Sequence, residues 1–322
     1  MKKMLLIIPL FIIIALFAWF LFGSAPKANI SWGVNFSQMH AENLGLDWKE
    51  FYLAVLDDLK VKNIKILVNW DWISGKKGEF YFNDLDFQIQ EAKKRDVKVI
   101  LSVGMKTGRW PECHIPDWAK LLSKEEREQA VLTYLDNIVN RYKNSVSFWQ
   151  VENEPFFPFG NCPKTDVNFL REEVALVKQI DPAHPVIITD TGEFSLWLKP
   201  SKIGDIVGTT MYSKVWLKEL NSYFLSPFPP LSYYLRAKLI NWVYGKKVQC
   251  LELQAEPWGP VLLYDLPLLE QEKSMDIYQF KKNIEFAKKT GWDTFYLWGV
   301  EWWYQMKSQK PEFWEEAKKL FI

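Results

Sequence analysis

From Ile30 onward, short apolar runs alternate with longer stretches whose apolar residues recur at helical spacing. Ile30–Ser37 reads as a strand, and the segment from about Asp47 to Lys62 as a helix, with Phe51, Val55 and Leu59 on one face. Ile64–Trp70 is apolar almost throughout, as expected for a strand covered on both faces. A loop follows over Gly75–Asn83, then a helix over Leu85–Arg95 and a third strand over Val97–Gly104. Ser123 caps a long helix reaching about Tyr142, with Glu126 placed for a capping box. After a turn at Lys143–Ser145, the fourth strand opens at Phe148 and ends in Asn153-Glu154-Pro155, where proline stops the ladder.

The second half repeats the alternation. A helix is expected over about Asp166–Ile180, a strand over Val186–Asp190, a short helix near Phe194–Leu198 and a strand over Ile206–Tyr212. Val248–Glu256 and Phe295–Trp298 supply strands seven and eight, with helices over about Met275–Lys289 and Pro311–Phe321. Eight strand–helix units in one chain argue for a single α/β domain, a (β/α)8 TIM barrel over residues 30–322. A doubly wound open sheet is the competing architecture, but no glycine-rich phosphate loop follows the first strand. Val215–Gly245 is longer and more apolar than a sixth barrel helix requires. It reads either as a large loop packed on the barrel or as a surface that also touches a bilayer.

The N-terminus breaks this pattern. Met1-Lys2-Lys3 precedes an uncharged apolar run over residues 4–22, long enough to span a bilayer as one transmembrane helix. The lysines place the N-terminus in the cytoplasm and the barrel outside. Residues 1–23 are therefore read as a membrane anchor and 24–29 as a tether. Cleavage after Gly23-Ser24-Ala25, giving a secreted protein, is the alternative.

Composition narrows the function by exclusion. The net charge is +1, so neither nucleic acid nor an acidic surface is implied as a general partner. There is no His-Glu-x-x-His cluster and no Gly-x-Ser-x-Gly elbow, so neither a metal site nor a serine nucleophile is indicated, and no cofactor is implied. The 17 Trp include several at strand ends, where they either fill the core or offer flat faces to sugar rings. Cys250 sits in an apolar strand as a core thiol. Cys113 and Cys162 follow neighbouring strands and are either a disulfide, in an oxidising compartment, or two free thiols.

Glu256, in Leu251-Glu252-Leu253-Gln254-Ala255-Glu256-Pro257-Trp258, repeats the strand-then-Glu-Pro layout of Glu154. Strands four and seven lie across a barrel mouth from each other, and two carboxylates facing over a ligand are what glycoside hydrolysis needs. Asn153-Glu154-Pro155 with a Glu ending strand seven resembles the glycoside hydrolases of clan A. So do Asn69-Trp70-Asp71-Trp72-Ile73, Gly78-Glu79-Phe80, Leu85-Asp86 and Arg109-Trp110-Pro111. The resemblance implies a retaining enzyme cleaving β-linked glycans, with oligosaccharide or polysaccharide as substrate.

Carried over by position, Glu154 is the acid/base and Glu256 the nucleophile, whose charge raises the pKa of Glu154. Asn153 donates to the sugar 2-hydroxyl, Tyr212 hydrogen-bonds the nucleophile, and Trp298 floors the reacting subsite. Trp110, His114 and Trp258 are further substrate-binding candidates. The chain departs from the clan in strand two, where Lys65 is the nearest basic residue to an expected Arg. Glu112 and Asp71 are either sugar ligands or loop caps, and His40 and His184 are read as structural. Glu152 and Glu252 are read as a polar layer inside the barrel without a catalytic role. A carbohydrate-binding barrel without turnover and a transglycosylase using the same residues are the alternative functions.

Overall fold

The computed structural model describes residues 25–26 and 28–321. Eight parallel strands close a barrel: β1 (Ser31–Phe36), β2 (Asn63–Leu67), β3 (Lys98–Val103), β4 (Phe148–Val151), β5 (Val186–Asp190), β6 (Ile206–Met211), β9 (Lys247–Gln254) and β10 (Thr294–Trp298). Each pairs with its sequence neighbour in the barrel, and β10 closes onto β1. The main helices are α1 (Trp48–Asp57), α2 (Asn83–Lys94), α3 (Lys124–Tyr142), α4 (Val167–Ile180), α5 (Pro230–Tyr244), α6 (Ile277–Lys289) and α7 (Glu312–Lys318). Their starts are chemically defined: Asp47 accepts from the Lys49 and Glu50 amides ahead of α1, and the Ser123–Glu126 capping box opens α3.

Most of the apolar core lies between strands and helices, with residues such as Phe51, Leu101, Trp149 and Val207 fully buried. Inside the barrel a smaller group of Ile100, Ile187, Leu251 and Tyr296 fills the lumen. Trp149 also satisfies its polar edge, donating from Nε1 to Asp181 at 2.9 Å. The two halves of the 215–245 excursion are a hairpin, β7 (Lys214–Leu217) with β8 (Ser222–Leu225), and α5.

Three expectations are corrected. The second strand stops at Leu67, and Trp70–Ile73 turns into a short helix with Ser74 N–H bonded to the Trp70 carbonyl. Phe194–Leu198 is not a helix: Ser195 donates to Asp190 at 2.6 Å and accepts from the Trp197 amide, which holds a turn instead. Strand seven ends at Gln254, so Glu256 lies two residues past it. The apolar run over 4–22 lies outside the described residues, and no helix among the described residues is long and apolar enough to cross a membrane. Ala25, in the expected tether, is buried against the turn at Gly291.

Candidate active site

The C-terminal ends of the strands gather a dense set of buried carboxylates. Glu154 follows β4 with a left-handed backbone, φ 42°, and Glu152 shares that conformation at φ 58°. Such conformations persist where surrounding bonds over-determine them. Here the Glu152 amide donates to the Val103 carbonyl at 2.9 Å, and the Glu154 amide donates to Thr189 Oγ1 at 2.7 Å. Glu152 in turn accepts from the amides of Met105 and Lys106, both at 2.7 Å, tying the loop after β3 to the end of β4. Gly104 (φ +119°) is required there, because a Cβ would collide with the Glu152 carboxylate.

The Glu154 side chain accepts from Thr210 Oγ1 at 3.0 Å. Burial drives its pKa well above the ordinary carboxylate range, and the charge of Glu252 adds to the rise. The expected source of that charge, Glu256, is replaced by Glu252. Tyr212 shows the same change: its hydroxyl donates to Glu252 Oε2 at 2.9 Å, not to Glu256. Lys65, fully buried on β2, binds the other oxygen of Glu252 at 3.0 Å. Glu252 thus has a cation on one oxygen and a hydroxyl on the other, and its field reaches Glu154.

A bulge explains how Glu252 gets there. Pairing between β6 and β9 slips between Thr209↔Cys250 and Thr210↔Glu252. Leu251 lies in the lumen cluster and the next residue, Glu252, bonds Lys65 of β2, three strands away around the barrel. Consecutive side chains sharing a face is what a bulge produces. Simple alternation from the sequence could not assign both.

Glu256 belongs to a different group. Arg109 binds Glu256 with one guanidinium nitrogen and Glu301 with the other, the latter at 2.9 Å. His40 Nε2 lies 3.8 Å from Glu256 and has no hydrogen-bond partner among the described residues, and burial pushes its pKa well below the usual value. Glu301, buried beside this pair, is raised to about 7, chiefly by desolvation. The Arg109 guanidinium also lies 4.2 Å over the Trp298 ring. The face expected to floor the reacting subsite therefore carries Arg109, and Gly108 closes on the same ring.

The remaining candidates lie on the same end of the barrel. Asn153 is buried, its carbonyl oxygen accepting from Gln150 Nε2 at 3.0 Å. Glu112, also buried, is raised to about 7 by desolvation. His114 is buried, its Nε2 3.0 Å from the Gly108 carbonyl. Trp258 meets Tyr212 edge to face at 5.3 Å and continues through Phe159 to the half-exposed Trp110. Cys113 and Cys162 form a disulfide, which pins the loop carrying Arg109 to the loop after β4. Cys250 is a buried free thiol, and His184 bonds Asp181. Beside the ends of β1 and β2, a cleft of about 360 Å³ is lined by Gln38, Asn69, Trp72, Tyr81, Asn83 and Gln88. Amides and aromatic faces together suit a sugar ring.

The sequence pattern does not bring Lys65 to Glu252, nor Arg109 to Glu256 and Glu301. A charged residue within the apolar run Val248–Leu253 was the available signal, because a buried carboxylate needs a partner.

This barrel, with carboxylates at the ends of its fourth and seventh barrel strands, has the form of the (β/α)8 glycosidases of clan A, and the resemblance drawn from the sequence stands. Within that class, a family model for glycosyl hydrolase family 10 matches residues 36–173, from the end of β1 into α4. It includes Glu154 and stops before Tyr212, Glu252 and Glu256. Endo-1,4-beta-xylanase 2 of Claviceps purpurea is 26% identical over 130 residues, 38% of this chain and 38% of that protein. The chain thus spans well under half the length of that relative. A cold-adapted β-galactosidase from Rahnella sp. R3 superposes with a TM-score of 0.62 at 11% identity, over 92% of this chain and 56% of that one. A family 10 endoxylanase from a sugarcane soil metagenome superposes with a TM-score of 0.58 at 13% identity, over 84% of this chain and 86% of that one.

Proposed function

We propose that this chain is a retaining glycoside hydrolase acting on β-1,4-linked glycans of the xylan type, with Glu154 as acid/base and Glu252 as nucleophile. The observation that carries the pairing is the position of Glu252, whose charge raises the Glu154 pKa while Lys65 and Tyr212 hold its own two oxygens. Glu256 is the carboxylate first expected in this role, but it is engaged by Arg109. The xylan class is favoured by the printed activities of the endoxylanases that the chain resembles.

The chemistry follows from the two environments. Glu154, its pKa raised by burial and by the Glu252 charge, gives its proton to the glycosidic oxygen as the bond to the anomeric carbon breaks. Glu252, held by Lys65 and Tyr212 through its two oxygens, attacks that carbon from the opposite face and forms a glycosyl ester. Esterification removes the Glu252 charge, so the Glu154 carboxylate left by the first step is now favoured and takes a proton from water. The resulting hydroxide equivalent opens the ester, and Glu252 leaves as carboxylate. Configuration is retained because the carbon is attacked twice.

The site is displayed outside the cytoplasm on an anchor formed by residues 4–22. The Cys113–Cys162 disulfide supports an oxidising compartment. The test of the activity is proton NMR of xylo-oligosaccharide cleavage. The proposal expects the β-anomer to appear first, and turnover to be lost in Glu154→Gln. An initial α-anomer, or no cleavage of any β-glycan by the wild type, would overturn it.

A further inference from the structure

We propose that the end of the barrel opposite the active-site mouth is a membrane-contact surface that sits on an anionic bilayer through α5 and a ring of lysines. The inference rests on the anchor at residues 4–22 and is independent of the reaction catalysed.

The geometry starts at Ala25. A Cβ built on Gly291 would meet Ala25 Cβ at 2.7 Å, the Pro26 carbonyl at 2.9 Å and Tyr234 of α5 at 3.3 Å. Ala25 and Pro26 are thus fixed against the turn before β10 and beside α5. The apolar run ends at Phe22, three Cα steps earlier. Those steps reach at most about 11 Å when fully extended. A bilayer holding residues 4–22 therefore lies against the N-terminal end of the barrel, where β1, β9 and β10 begin.

That end has the composition a headgroup layer takes. Helix α5 stops at Tyr244, three residues before β9 starts, and its last turns expose Trp242 at 83%, Val243 at 50% and Leu239 at 45%. Water is a poor environment for a nearly bare tryptophan, whereas the bilayer interface accommodates its amphipathic ring. Around them, Lys60 and Lys62 precede β2, Lys98 opens β3, Lys246 precedes β9 and Lys289 closes α6. Asp205 and Asp293 are already paired to Lys178 and Lys247, which leaves exposed Asp96, in the turn before Lys98, to offset one of these charges. Clustered lysines beside an apolar patch are drawn to anionic lipid.

The orientation has a consequence for substrate. The strands rise about 20 Å from this end to the mouth, so Glu154 and Glu252 open away from the lipid. A glycan in the surrounding medium reaches them, while the sugar headgroup of a lipid in the same bilayer does not.

The test uses the full chain in phosphatidylethanolamine–phosphatidylglycerol vesicles. Trp242→Cys and, as a control near the mouth, Tyr278→Cys (73% exposed at the start of α6) are labelled with a polarity-sensitive fluorophore. The label at 242 is expected to shift to shorter wavelength and be quenched by spin-labelled lipid, while that at 278 stays in water. Leu239→Cys serves if Trp242→Cys does not fold. Equal water exposure at both positions, failure of the chain to float with vesicles, or shielding at 242 caused by a second copy of the chain in detergent would each overturn the proposal.

Discussion

The Tyr212 hydroxyl donates to Glu252 at 2.9 Å, and this bond distinguishes the two candidate nucleophiles of the seventh barrel strand. A carboxylate that must attack carbon benefits from a donor that holds one oxygen and fixes the other. Burial raises the Tyr212 pKa far above its usual value, so the phenol remains a donor throughout the working range. Tyr212→Phe is expected to lower kcat by about 10- to 100-fold, the loss of about 1.5–3 kcal/mol for a hydrogen bond to a charged group. Steady-state kinetics check this, and an unchanged kcat would place the nucleophile elsewhere.

The pH dependence follows from Glu112. Its carboxyl is raised to about 7 in the folded protein, against about 4.5 unfolded, so the folded state binds its proton more tightly. Stability from this group is present below the unfolded value and declines as pH rises through about 7, by at most about 3 kcal/mol. Urea unfolding of Glu112→Gln at pH 5 and pH 8 should show a smaller decline than wild type. The Glu112 charge also raises Glu154, so the alkaline limb of kcat/KM should move to lower pH in the same variant.

Arg109 bridges Glu256 and Glu301, and both carboxylates are buried. Arg109→Ala leaves them without their cation and should cost about 3–5 kcal/mol, read as a lower denaturation midpoint. Arg109→Lys keeps the charge but not the fork, so it should recover only part of that loss. Full stability in Arg109→Ala would mean that the cluster is held by other contacts.

The Cys113–Cys162 disulfide closes a sequence separation of 49 residues. Loop-closure entropy assigns it about 4 kcal/mol. Cys113→Ser with Cys162→Ser should therefore lower Tm. Because the same bridge holds the loop bearing Arg109, KM should rise as well. Calorimetry and kinetics on the double variant separate the two effects.

Much of this architecture was legible because buried parallel strands leave a mostly apolar record, as in Val99–Leu101 and, interrupted by Lys65, Ile64–Leu67. Glu154 was legible for a related reason, since proline at 155 marks where the strand must end. At Glu256 the same signal misplaced the boundary: Pro257 marks a stop, but the strand has already ended at Gln254. Glu252 was expected in a polar layer inside the barrel and is bonded there by Lys65 and Tyr212, but the bulge that puts it on the same face as Leu251 breaks the alternation and was not legible. Arg109 was beyond reach because its position depends on a loop folded back over Trp298, a contact without local sequence pattern. The short helix expected at Phe194–Leu198 failed because Ser195 and Asp190 bond across the turn.

The central claim is that Glu252, rather than Glu256, forms the bond to sugar. The direct measurement is to inactivate the protein with a 2-deoxy-2-fluoro β-xylobioside bearing a dinitrophenolate leaving group, digest it, and sequence the labelled peptide by mass spectrometry. The fluorosugar is expected esterified to Glu252, with no label trapped in Glu252→Gln. A label on Glu256 would contradict it.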